Sequence, residues 1–138
     1  MQWLAWANTQ TSQTRSSVRF PPRYGGGELY FCATDGGAKK LGQIFRLIPG
    51  IAGAADRLDL FLESTDPSKF NFGGNLTVQD NGHLIVCEDG YDGEVNHLRG
   101  VTLQGAVYPL GRLNMETELA GACFSPLRAV GPRDIQTR

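Results

Sequence analysis

The chain has 138 residues, 18 of them glycine, nearly twice the usual share of about 7%. Glycine and the 7 prolines weaken helix interiors, which argues against a helical bundle, and the glycines follow no three-residue period, which excludes collagen. A hydrophobic fraction of 41%, 20% charged residues and a formal net charge of -1 exclude a self-repelling disordered chain and give no electrostatic reason to expect nucleic acid or an anionic membrane surface.

The length suits one domain. No apolar run approaches the roughly 18 residues that span a bilayer. The N-terminus, Met1 to Ala7, is apolar but lacks the basic start and long apolar stretch of a secretory signal. Residues 8–17 (NTQTSQTRSS) are polar and without period, and residues 1–23 read as a disordered or atypical tail. Pro21-Pro22 marks a break.

From Gly25 onward, short apolar runs alternate with turn signals, the pattern of an all-β chain. The first expected strand is Glu28 to Thr34, stopped by Asp35-Gly36-Gly37. Leu41 to Ile48 follows and ends at Pro49-Gly50. Leu58 to Glu63 meets Asp66-Pro67. Asn75 to Gln79 leads into Asp80-Asn81-Gly82, a strong hairpin turn because Asn-Gly tolerates positive φ. His83 to Glu88 stops at Asp89-Gly90. His97 to Thr102, Ala106 to Leu110 and Leu119 to Phe124 complete the set.

An internal repeat is visible. Gly27 to Gly36 lies over Gly82 to Gly90, each a glycine turn, a strand with a cysteine (Cys32, Cys87) at the same depth, and an acidic-Gly exit. Each copy continues with an arginine-bearing strand (Arg46, Arg99) and a third strand. Asn75 to Val78 and Gly121 to Pro126 are fainter equivalents, both expected as first, innermost strands. Repeats of about 40–50 residues with four strands each point to a β-propeller. At a spacing of about 55 residues the chain holds about two blades and the start of a third. It is therefore read as a partial β-propeller, whose open edges invite self-association.

Chemistry-bearing residues gather at the strand ends. Asn75, Glu88 with Asp89, and Glu118 are the oxygen donors that a hard cation such as Ca²⁺ takes, although their spacing is not a metal motif. Arg99 offers a planar fork suited to phosphate. His83 and His97 have no partner at catalytic spacing and read as surface histidines. Cys32, Cys87 and Cys123 each sit in an apolar run and read as small buried hydrophobes.

The run from Gly25 to Arg46 (GGGELYFCATDGGAKKLGQIFR) resembles the PhoX-type alkaline phosphatase family. So do Leu60 to Pro67 (LFLESTDP), Asn75 to Val78 (NLTV) with Leu84 to Gly90 (LIVCEDG), and Glu118 to Pro126 (ELAGACFSP), in the family's order. The resemblance covers about residues 24–126, with residues 127–138 an atypical C-terminal tail. It implies a six-bladed β-propeller and hydrolysis of phosphomonoesters with calcium and iron. It also implies export, for which this chain shows no signal peptide. Asn75, Glu88, Asp89 and Glu118 are implied as metal ligands and Arg99 as a phosphate contact. Two departures stand out. The acid expected before Asn75 is Gly74, and an acidic ligand expected before the triple glycine is missing from Arg19 to Tyr24. The chain then reads as a fragment of such a phosphatase. The alternatives are a non-catalytic β-sheet interaction module and a propeller lactonase-like hydrolase.

Overall fold

A computed structural model describes residues 27–91 and 93–124 in full, together with the backbone of Thr14–Arg19. Eight strands follow in chain order: β1 (Thr14–Arg19), β2 (Glu28–Ala33), β3 (Gln43–Ile48), β4 (Arg57–Glu63), β5 (Gly73–Val78), β6 (Leu84–Glu88), β7 (His97–Val101) and β8 (Val107–Arg112). They build two antiparallel sheets of order β1-β2-β3-β4 and β5-β6-β7-β8. The protein is all-β, with no helix among the described residues, as the glycine excess requires. Neither sheet closes on itself.

The repeat lands on matching places in the two sheets. Gly27 to Gly36 covers β2 and Gly82 to Gly90 covers β6, while Arg46 and Arg99 lie on β3 and β7. The turn before β6 has the expected chemistry. Gly82 takes φ 88°, the Asn81 side-chain oxygen accepts from the His83 N–H at 3.0 Å, and the Gln79 N–H donates to the His83 carbonyl at 2.8 Å.

Two expectations are corrected. Leu119 to Phe124 is not a strand. Gly121 sits there at φ 72°, outside extended backbone, and its N–H goes to the Asn75 side chain rather than to a ladder partner. Residues 14–17 of the polar N-terminal stretch belong to β1, which pairs with β2 from Thr14↔Ala33 to Arg19↔Glu28. Main-chain pairing needs no apolar side chains, so polarity alone did not preclude a strand. The rest of the expected tail, 127–138 and Ser125-Pro126 lie outside the described residues.

The core lies between the sheets. Tyr30, Cys32 and Ile44 from the first sheet meet Leu76, Leu84, Val86 and Val101 from the second, with Phe70 from the connecting loop. Side chains alternate across a strand, so Leu84 and Val86 face this core while Ile85 and Cys87 face away from the first sheet. Burial pushes the Cys32 thiol up to about 12, with the nearby Cys87 adding to the effect. Cys32 and Cys87 are buried, as expected, whereas Cys123 is exposed because its segment does not pack as a strand.

Candidate functional site

Two consecutive carboxylates stand at the end of β6: Glu88 is its last residue and Asp89 the first beyond it. Glu88 points to the core side and is 2% exposed. Its Oε1 accepts from Arg99 Nε at 2.8 Å and from the Asn71 N–H at 3.1 Å. Its Oε2 accepts from the His97 N–H and from His97 Nδ1, both at 2.9 Å. Four donors therefore surround one buried carboxylate, near the full capacity of its lone pairs.

Arg99, 5% exposed, also donates from Nη2 to the Ser68 carbonyl at 3.0 Å. This ties β7 to the loop that enters β5. Arg99 thus spends two of its nitrogens internally, and its fork is not presented to solvent. His97 is a partner of Glu88 rather than a plain surface residue, while His83 holds the Tyr108 hydroxyl at 2.9 Å. The position of His97 two residues before Arg99 was the available signal, because i and i+2 share a strand face.

The other expected residues gather around the end of the second sheet. The β5–β6 register jumps from Gly73↔Glu88 to Asn75↔Cys87, leaving Gly74 as the extra residue of a bulge. Gly74 closely approaches Asp89: a Cβ there would lie 2.8 Å from the Asp89 Cβ. Beside it, the Asn75 Oδ1 accepts from the Gly121 N–H at 3.2 Å. Burial raises the pKa of the Cys87 thiol, opposed by a hydrogen bond from the Ala122 backbone and reinforced by the charge of Glu118. The segment from Glu118 to Ala122 therefore crosses Asn75 and Cys87. Asn75, Asp89 and Glu118 thus lie around one end of the second sheet, while Glu88 is paired with Arg99 on the core side.

The close contact at Gly74 gives a direct expectation. Gly74→Asp, which would restore the acid that the family resemblance anticipates, should destabilise the chain by about 1–3 kcal/mol through overpacking against Asp89. Gly74→Ala isolates the steric part, and urea unfolding of both variants measures it.

The family described as Alkaline phosphatase PhoX matches residues 9–130. The chain belongs to the PhoX alkaline phosphatase family. No curated protein and no solved structure matches it. The PhoX match covers both sheets and runs past the 24–126 of the motif resemblance at each end, so residues 9–23 and 127–130 are also PhoX-like.

The PhoX family is generally metal-dependent. Asn75, Asp89 and Glu118 are hard oxygen donors, the right type for calcium. Their number falls short of the roughly six to eight oxygens that calcium takes. No three His, Cys, Asp or Glu side chains among the described residues form a group that could hold a metal ion. The oxygens of Glu88 already face four protein donors. By themselves, then, the described residues do not fit a calcium or iron centre. No helix among them is long and apolar enough to cross a membrane.

Proposed function

We propose that the chain is part of a phosphomonoester hydrolase of the PhoX type, with its two sheets as neighbouring blades of a β-propeller. The family match across both sheets carries this reading. The equivalent placement of β2 with β6 and of Arg46 with Arg99 supports the blade assignment. The reaction breaks the bond from phosphorus to the leaving alcohol and forms one to a water oxygen, and the alcohol takes up a proton.

In this reading Asn75, Asp89 and Glu118 mark the working face. Asp89 and Glu118 would contribute oxygen donors towards calcium and iron, with the remaining donors supplied from outside the described residues, while the Asn75 side-chain oxygen accepts from the Gly121 N–H. Glu88 and Arg99 act behind that face. Their buried network fixes the ends of β6 and β7 and the loop through Ser68 and Asn71, giving the working face a rigid support. We therefore assign Arg99 to holding Glu88 rather than to gripping phosphate.

Hydrolysis of p-nitrophenyl phosphate by the full chain, with calcium and iron added, tests the proposal. Turnover is expected, falling by about 10–100-fold in Asp89→Asn and Glu118→Gln. Absence of turnover above background, or parental rates in both variants, would count against it.

A second reading is favoured by one surface. The register aligns Leu29, Leu47 and Leu58 in one cross-strand row and Phe31, Phe45 and Leu60 in the next. Leu58 and Leu60, on the edge strand β4, are 45% and 51% exposed. An apolar edge of this kind suits an interaction module that self-associates. Sedimentation of the parent and of Leu58→Lys/Leu60→Glu separates the cases. A larger species in the parent, lost in the double variant, supports association through this face.

A further inference from the structure

Asn75 is one of the residues that the family resemblance implies as ligands, yet its side-chain oxygen is directed at the protein's own backbone. We infer that Asn75 is a positioning residue: it clamps the segment from Glu118 to Ala122 across the second sheet, covering Cys87 and setting the place of Glu118. The relevance to catalysis rests on the proposed working face, whereas the clamp itself does not.

Glu118, Ala120 and Gly121 are exposed, and Leu119 and Ala122 only half-buried, so apolar burial contributes little. The segment forms no strand and has no ladder of backbone bonds. Polar contacts from the second sheet and the residue before β7 are among its fixed points. Asn96 Nδ2 donates to the Thr117 carbonyl at 3.0 Å at the entry. Asn75 Oδ1 accepts from the Gly121 N–H at 3.2 Å further on. The Ala122 backbone reaches the Cys87 thiol next to it. Asn75 and Cys87 are direct cross-strand partners, so one rung of the β5–β6 ladder supplies two adjacent anchors.

The cover over Cys87 makes the clamp measurable without any enzymatic activity. Cys87 is 1% exposed although it faces away from the first sheet. Cys32 is 0% exposed and lies in the core between the sheets. The two thiols thus report different events: Cys87 the lifting of the segment, Cys32 the opening of the core. Cys123 is exposed and would react at once, so it is best replaced by Ser.

The experiment follows N-ethylmaleimide labelling of Cys87 and Cys32 by peptide mass spectrometry in the full chain carrying Cys123→Ser. In Asn75→Ala, Cys87 should label about two- to tenfold faster, the size expected for losing one hydrogen bond from a local opening. Cys32 should keep its slow rate. Asn75→Asp keeps an acceptor for the Gly121 N–H and should return Cys87 to near the parental rate. Parental labelling of Cys87 in Asn75→Ala overturns the inference. If both thiols speed up in Asn75→Ala, the comparison with Asn75→Asp decides: equal rates in the two variants overturn the clamp, and slower labelling in Asn75→Asp sustains it. A clamp that holds in a chain without phosphatase turnover would leave the inference standing and the proposed function failed.

Discussion

Arg99→Met should cost the fold about 3–5 kcal/mol, because it leaves the Glu88 carboxylate buried without its close cationic partner. The two groups lie 2.8 Å apart with side-chain exposures of 7% and 2%, so neither can turn to water for compensation. Asn71 and the His97 backbone would still donate to Glu88, but backbone dipoles do not replace a full charge. Arg99→Lys should recover only part of the loss. A lysine is a point charge and cannot reproduce the fork that binds Glu88 and the Ser68 carbonyl together. Removing both partners, in Glu88→Leu/Arg99→Met, should cost less than Arg99→Met plus Glu88→Leu taken separately. The residual cost comes mainly from the Asn71 N–H, left buried without an acceptor, and less from the part-buried His97 N–H. Urea midpoints at constant slope measure all four variants. A loss under about 1 kcal/mol for Arg99→Met would mean that the pair is not the anchor described above.

The same network shows what sequence reasoning could and could not reach. The strands from β2 to β8 were legible because turn residues bound them, most clearly Asp80-Asn81-Gly82 and Asp35-Gly36-Gly37, and because the repeat fixed their order. β1 was not legible, since Thr14 to Arg19 joins the sheet through backbone pairing with β2 and its composition carries no apolar alternation. Leu119 to Phe124 misled in the other direction: its apolar residues read as a strand, but the backbone donors of the segment go to side chains on the neighbouring sheet. At the site, the residue types were legible and their grouping was not. Glu88 and Asp89 read as one acidic pair, yet Glu88 is enclosed by its Arg99, His97 and Asn71 partners while Asp89 packs beside Gly74. Asp89 lies just past the end of β6, and its closeness to Gly74, the neighbour of Asn75, comes from the bulge in β5. The partners of Glu88 are 9, 11 and 17 residues away and depend on how a loop returns, which no local pattern reveals.

That returning loop depends on Phe70, and Phe70→Ala should cost about 3–5 kcal/mol. Its side chain is 1% exposed and joins the core cluster where the two sheets meet. Its backbone N–H donates to the Asp66 carbonyl at 3.1 Å, and its own carbonyl accepts from the Ser64 hydroxyl. The ring lies directly over Gly73, the first residue of β5, and against Gly42 before β3. Deleting it would open a cavity at the junction of loop and both sheets, next to Asn71 and the Glu88 network. Gly73→Ala approaches the same contact from the other side. Its new methyl would enter the space of the Phe70 ring, for a cost of about 1–3 kcal/mol by overpacking. In the double variant the methyl fills part of the cavity that the missing ring leaves. The combined loss should then be smaller than the sum of the two, by about 0.5–3 kcal/mol of coupling. Strict additivity in urea unfolding would show that the ring and Gly73 do not share this contact. A loss near zero for Phe70→Ala would show that the loop is held without it.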